Sequence, residues 1–201
     1  PRVDLDEEDI VALVYTSGTT GRPKGAMITQ RSLLADSKNI HASIPHLPED
    51  IGLNFFPLFH IGFSRSVCYM AVGATNIFAD FSPQTACQLI EKEKVTQISI
   101  TPAQVNLLVN FPEVKQYNLN TLRNVISGGG HTPLSSIEKF FQLMPKEFNI
   151  YCLIFGQTEA SACITGNLIR REMVENLGNQ MKVFKKQRPS GISVGRALPY
   201  C

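Results

Sequence analysis

The sequence predicts an α/β protein: a mostly parallel sheet with helices on both faces. From residue 76 onward, strand-like apolar runs alternate with segments of helical spacing, and the connections between them are short. Hydroxyl–proline pairs, Ser82-Pro83 and Thr101-Pro102, stand where helices should begin. The chain is also long enough for such a fold. Its 201 residues are 43% hydrophobic and include 12 Phe, and a chain of that size buries roughly 70% of the surface its unfolded form exposes. Charged residues are 18%, below the roughly 25% of an average soluble domain, which excludes disorder and a solvated coiled coil.

Taken in order, acidic residues over 4–9 lead into an apolar strand at 10–15. A polar, glycine-bearing loop over 16–24 follows, then a short apolar run at 26–28. Thr29 is placed to cap a helix with Leu33, Leu34, Ser37 and Ile40 on one face. Residues 53–56 predict a strand and 63–72 a buried helix. A strand at 76–81 precedes the helix begun by Ser82-Pro83, whose buried face includes Ala86, Leu89 and Ile90. A strand at 97–100 precedes the helix begun by Thr101-Pro102, where Gln104 completes a capping box. A strand at 122–127 is followed by a helix with Ile137, Phe140, Phe141 and Met144 at helical spacing, and 149–155 is one more strand. Open parallel sheets bind ligands beyond the carboxyl ends of their strands. Two polar glycine loops fall at such ends, Ser127-Gly128-Gly129-Gly130 and Gly156-Gln157-Thr158-Glu159. If their strands are parallel, both loops open on one edge, and that edge is the expected site.

Composition narrows the partners. Nineteen basic against 17 acidic side chains leave +2, with no basic block to follow a nucleic-acid backbone. No run reaches the roughly 18–20 apolar residues of a membrane span; the best stretch, 61–79, is broken by Arg65 and Asn76. No secretory signal is read at the start. The five cysteines, Cys68, Cys87, Cys152, Cys163 and Cys201, show no paired spacing. They are expected to be reduced, in a cytoplasmic protein, with Cys152 and Cys163 filling core. His41 and His46 flank Pro45, so a metal held mainly by protein side chains is not expected.

The chemistry begins at residues 15–25. Four hydroxyls (Thr16, Ser17, Thr19, Thr20), three glycines (Gly18, Gly21, Gly25) and Lys24 lie between two apolar runs. Glycines let backbone N–H groups approach a phosphate, hydroxyls add donors, and Lys adds a point charge. The loop is not a Walker loop, because Pro23 precedes the lysine where that motif needs Gly. The plainer reading is a surface hairpin rich in turn formers.

The loop resembles the signature of the adenylate-forming, or AMP-binding, superfamily of acyl-CoA synthetases, luciferases and peptide-synthetase adenylation domains. Asn54-Phe55-Phe56-Pro57-Leu58-Phe59-His60-Ile61-Gly62 resembles that family's substrate-side motif. Ser127 to Gly130, with Pro133-Leu134-Ser135, resembles its adenine-side glycine segment, and Phe155-Gly156-Gln157-Thr158-Glu159 its aromatic-Gly-x-Thr-Glu motif. Gly191-Ile192-Ser193-Val194-Gly195-Arg196-Ala197-Leu198-Pro199 resembles the start of the next motif.

The resemblance implies ATP-dependent activation of a carboxylic acid to an acyl-adenylate, then transfer to coenzyme A with release of AMP and pyrophosphate. The carboxylate is its own nucleophile, so positioning and charge neutralisation should carry the catalysis. The roles that follow by resemblance are these. Thr16, Ser17, Gly18, Thr19, Thr20, Gly21 and Lys24 hold phosphate. Gly128, Gly129, Gly130, Phe155, Gly156 and Gln157 hold adenine. Thr158 donates to the α-phosphate, Glu159 serves Mg²⁺, and Phe59, His60 and Gly62 wall the acyl pocket. Phe155 stands where the family usually has Tyr, keeping the stacking face and losing a hydroxyl. For His60 the other reading is a buried His satisfied by backbone, and for Glu159 a solvated carboxylate.

Peptide-synthetase domains usually carry an Asp just after the Phe of the substrate-side motif, and this sequence has Phe59-His60. A buried ammonium without a carboxylate is costly, so a fatty, aryl or other non-amino acid is expected. The alternatives are a non-catalytic nucleotide- or acyl-binding relative and, further off, an amino-acid adenylation domain. Residues 1–201 are read as the central part of the adenylation domain. The acidic ribose-binding motif, the hinge and the C-terminal lid domain with its catalytic Lys are expected elsewhere in a longer parent, and the 201 residues alone are expected to be inactive.

Overall fold

The computed structural model describes residues 4–17, 21–146, 148, 150–174 and 195–200. Strands β1 (Ile10–Thr16) and β2 (Lys24–Thr29) form an antiparallel hairpin that is a sheet of its own, with Leu13 opposite Met27 and Thr16 opposite Lys24. The turn-rich reading and the loop reading therefore describe one object, a hairpin whose connection is the polar loop. Because side chains alternate along a strand, Val14 and Ile28 turn inward onto Leu33 of helix α1 (Gln30–Ser43).

Thr29 is both the last residue of β2 and the cap of α1. Its hydroxyl accepts from the Ser32 N–H at 3.2 Å, and the Ser32 hydroxyl accepts from the Thr29 N–H at 3.0 Å. The buried face of α1 differs from the sequence expectation. Leu34 is 49% exposed, and the buried residues are Leu33, Asp36, Ser37, Asn39 and Ile40. Two of the polar members hold backbone groups of distant segments: Asp36 that of Cys163, and Asn39 that of Tyr200.

The main sheet has the order β4-β3-β5-β6-β7-β8-β9. Strands β3 (Ile51–Asn54), β4 (Thr75–Phe78), β5 (Gln97–Ile100), β6 (Asn124–Gly128) and β7 (Ile150–Phe155) are mutually parallel. β8 (Thr165–Arg170) and β9 (Arg196–Ala197) add an antiparallel edge that the sequence reading did not contain. The two faces are covered by different helices. α3 (Pro83–Glu93), α4 (Pro102–Val109) and α5 (Leu134–Leu143) pack on Leu53, Ile98, Val125 and Tyr151. On the other face α1 and α2 (Gly62–Met70) meet Ile126, Cys152 and Ile154. Val125 and Ile126, like Tyr151 and Cys152, thus serve opposite cores, as in a sheet buried on both sides.

Several boundaries move. The strand expected at 53–56 runs over Ile51–Asn54, because the Asn54 side chain turns the chain out of the sheet. Its Oδ1 accepts from the Phe56 N–H at 3.0 Å and its Nδ2 donates to the Gly62 carbonyl at 2.9 Å. The strand expected at 76–81 ends at Phe78. On α3, Cys87 is fully buried beside Ala86 and Ile90, while Leu89 is only partly buried.

Candidate active site

β6 and β7 are parallel, so the loops beyond Gly128 and Phe155 open on one edge of the sheet. The hairpin reaches the same edge, since β2 packs directly against the short 3-10 turn Thr158–Ala160. The result is a cleft of about 510 Å³. Thr16, Ser17 and Lys24 line it from the hairpin, His60 and Ile61 from the approach to α2, and Gly129 from the loop after β6. Ile154, Gly156, Gln157, Thr158, Glu159 and Ala162 complete it around the end of β7.

Nine of the residues singled out from the sequence therefore line one cleft: Thr16, Ser17, Lys24, His60, Gly129, Gly156, Gln157, Thr158 and Glu159. Gly18, Thr19 and Thr20 lie outside the described residues, as do residues 191–194 of the last motif. Gly21, at φ +83°, is described but does not line the cleft. Phe59 is 83% exposed and stands apart from it. Phe155 is half exposed, next to Gly156. Gly62 is buried at the start of α2, where an added Cβ would lie 2.2 Å from the Phe56 carbonyl oxygen. Gly130 is near Pro102 and outside the cleft lining.

The glycines have definite geometric work. Gly129 sits at φ +84°, a left-handed conformation that turns the chain off β6. At Gly128, which is outside the cleft lining, a Cβ would come within 2.5 Å of Ile154 Cγ1, so its absence allows β6 and β7 to approach.

Beyond β7 the chain makes a closed loop. The Ile164 N–H donates to the Phe155 carbonyl at 2.9 Å, and Ser161 and Ala162 take φ +60° and +138°. Gly156 passes so near the Ala162 carbonyl that a Cβ would sit 1.3 Å from its oxygen. The return leg is held from α1: Asp36 Oδ1 accepts the Cys163 N–H at 2.8 Å across 127 residues of sequence. Burial pushes the Asp36 carboxyl up to about 6, with the Cys163 N–H and the Arg65 charge pulling the other way. Sequence reading missed Ile61, Ile154, Ala162 and Asp36. For Asp36 a signal existed, an acid on the apolar face of the α1 heptad pattern between Leu33 and Ile40.

Lys24, His60 and Glu159 are the ionisable groups of the lining. Among the described residues no three His, Cys, Asp or Glu side chains are grouped to hold a metal. Glu159 gives the lining one carboxylate, which fits a hard cation such as Mg²⁺ that takes one or two carboxylates and fills its remaining positions with ligand and water oxygens. Among the described residues no helix is long and apolar enough to cross a membrane.

Comparison with known proteins agrees with this geometry. Residues 1–201 match the family described as AMP-binding enzyme. The chain is 35% identical over 175 residues to a 4-coumarate–CoA ligase of Pinus taeda, covering 84% of this chain and 32% of that protein. It is 33% identical over 166 residues to a putative acyl-CoA synthetase of Bacillus subtilis, covering 80% of this chain and 30% of that protein. The chain thus spans about a third of the length of these relatives. The inhibitor-bound N-terminal domain of FACL13 from Mycobacterium tuberculosis has the same fold, with TM-score 0.81 and 24% identity over 99% of this chain and 46% of that one. So does o-succinylbenzoate coenzyme A synthetase of Bacillus subtilis, solved with ATP and magnesium, at TM-score 0.77 and 22% identity over 99% of this chain and 38% of that one. A match over the full 201 residues, on a fold that gathers the motif residues at one sheet edge, leads to one assignment: the chain belongs to the AMP-binding enzyme family.

Proposed function

We propose that this chain is the central part of the adenylation domain of a longer, AMP-forming acid–thiol ligase that activates a non-amino carboxylic acid with ATP and passes it to coenzyme A. The observation that carries the reading is the meeting of Lys24, Thr158 and Glu159 in one cleft beside the glycine loop. In the proposed reaction a carboxylate oxygen attacks the α-phosphorus of ATP and pyrophosphate leaves. Lys24 and the loop hydroxyls meet phosphate oxygens, Thr158 donates to the reacting phosphate, and Glu159 would hold Mg²⁺, which would neutralise the phosphate charge. No protein nucleophile is required, so the side chains act by orientation and by preorganised charge.

The coenzyme A acceptor and the aryl or fatty character of the acid are supported by the relatives named as CoA ligase and acyl-CoA synthetase. A non-amino acid is further supported by the cleft itself, whose described lining holds no carboxylate besides Glu159 to pair with an ammonium group. Reduced thiols and an intracellular site of action belong to the same proposal. Acid-dependent ATP–pyrophosphate exchange by the full-length protein, screened over aryl, fatty and amino acids, tests it. Exchange with an aryl or fatty acid, followed by thioester formation on adding coenzyme A, is the expected result. No exchange with any acid, alongside measurable ATP binding, would leave a nucleotide-binding relative without turnover.

A further inference from the structure

Asp36 lies on α1, outside the cleft lining, and is 2% exposed. Two features connect it to the cleft. α1 is capped by Thr29, the final residue of β2, so the helix is a direct continuation of the strand that opens with Lys24. From that helix Asp36 reaches the return leg of the loop that carries Thr158 and Glu159, accepting the Cys163 N–H at 2.8 Å. The leg needs holding. Ser161 and Ala162 are in left-handed conformations that non-glycine residues rarely adopt, and such conformations persist only where the surroundings impose them. We propose that Asp36 is a positioning residue that clamps the 161–163 leg to α1, and so fixes the Thr158–Glu159 turn against the Lys24 hairpin.

What the clamp uses is the acceptor oxygen Oδ1, which a carboxyl offers in either protonation state. Asp36 Oδ1 is bonded, while Oδ2 is buried with no hydrogen-bond partner in the structure. The groups facing the carboxyl from the neighbouring elements are Ser64 and Arg65 of α2 and Cys163 itself. Arg65 is fully buried, and its guanidinium hydrogen-bonds to the Ser99 hydroxyl, the Cys68 sulfur and the His46 ring. Asparagine offers the same oxygen in the same place, so it should serve as well as aspartate.

The proposal rests on the functional reading above for its effect on turnover, and on hydrogen exchange for its structural content. In the full-length protein, Asp36→Ala is expected to lower kcat of ATP–pyrophosphate exchange by about ten- to hundredfold, the range for losing a hydrogen bond to a buried ionisable group. The KM for the acid should move less than about threefold, because the bond removed is the one from Asp36 Oδ1 to the Cys163 leg and not one to Phe59, His60 or Gly62. Asp36→Asn should restore most of kcat, a rescue that general loss of packing would not show. Amide exchange at residues 161–164 should quicken in Asp36→Ala and not in Asp36→Asn, with β5 and β6 unchanged. Asp36→Leu, which keeps the branched outline with methyl groups in place of the two oxygens and so lacks the acceptor, replaces Asp36→Ala if the latter does not fold. Wild-type protein needs no variant: its Cys163 amide should exchange at least about tenfold more slowly than a solvent-bonded one. An unprotected Cys163 amide, wild-type exchange at 161–164 in the Leu or Ala variant, or kcat within twofold of wild type in either, overturns the proposal. If wild type itself shows no pyrophosphate exchange, the functional reading fails, and hydrogen exchange alone decides the clamp.

Discussion

At the scale of single residues, the burial that makes Asp36 useful as an acceptor also costs stability. Its carboxyl titrates near 6 in the folded chain against an ordinary value of 3.8. Between those values the folded state holds a proton that the unfolded chain has released, so stability falls as pH rises from about 4 through 6. Removing the ionisation should remove that loss. Asp36→Asn is expected to raise the unfolding free energy at pH 7 by up to ~3 kcal/mol and to change little at pH 4. Urea denaturation of both proteins at the two pH values checks this, and equal stability at pH 7 would contradict it. Lys24 is the opposite case, an exposed residue whose backbone pairs with Thr16 and whose carbonyl accepts from the Thr16 hydroxyl at 3.4 Å. Lys24→Ala should leave the hairpin intact while slowing ATP–pyrophosphate exchange about ten- to hundredfold, as loss of a charge-assisted contact to phosphate implies. An unchanged exchange rate would remove Lys24 from the site. Both residues were visible in the sequence, but only Lys24 stood in a recognisable motif.

At the scale of elements, the hairpin is the weakest part with a role at the site. Two strands alone are marginal in water, and this pair is held by Val14 and Ile28 against Leu33, with Phe63 and Val67 alongside. Its outer face leaves Leu13, Tyr15 and Met27 more than half exposed. Ile28→Ala should therefore cost about 2–5 kcal/mol, the usual range for emptying a buried aliphatic site. The loss should appear first as faster amide exchange in β1 and β2, before the parallel sheet responds. Uniform loss of protection across both sheets would show that the hairpin is not a separate unit. Helix starts were the most legible elements. Thr29, Ser82 and Thr101 cap α1, α3 and α4, and Gln104 completes the capping box, because a cap is decided within four residues of chain. The strand ends were less legible. β3 stops where the Asn54 side chain takes two backbone partners, one of them eight residues away at Gly62.

At the scale of the whole molecule, the cleft is built from one edge of a sheet and a separate hairpin, and the chain spans about a third of its relatives' length. We expect the isolated 201 residues to form no acyl-adenylate at an appreciable rate. Charges on an open cleft stay screened by water, and adenylation depends on a site that is closed and preorganised when the reaction occurs. The exposed face of the hairpin should also make the isolated chain self-associate. Adenylate formation and sedimentation of the purified 201 residues check both statements. Turnover at the rate of the longer protein proposed above would make its remaining segments dispensable for the first step.

What the sequence determined by itself was local or periodic. Alternating apolar runs and helical spacings specified the parallel sheet and its covering helices, caps specified where helices start, and the glycine and hydroxyl loops marked the strand ends that line the cleft. These features depend on contacts within a few residues, so the linear order contains them. The tertiary structure decided the rest. β8 and β9 joined the sheet because β7 offered a free antiparallel edge, which neither short segment announces in its own pattern. Asp36 and Cys163, 127 residues apart, met because α1 continues the hairpin and lies across the end of β7. Contacts of that kind are set by which surfaces fit together once the elements exist, and no spacing along the chain encodes them.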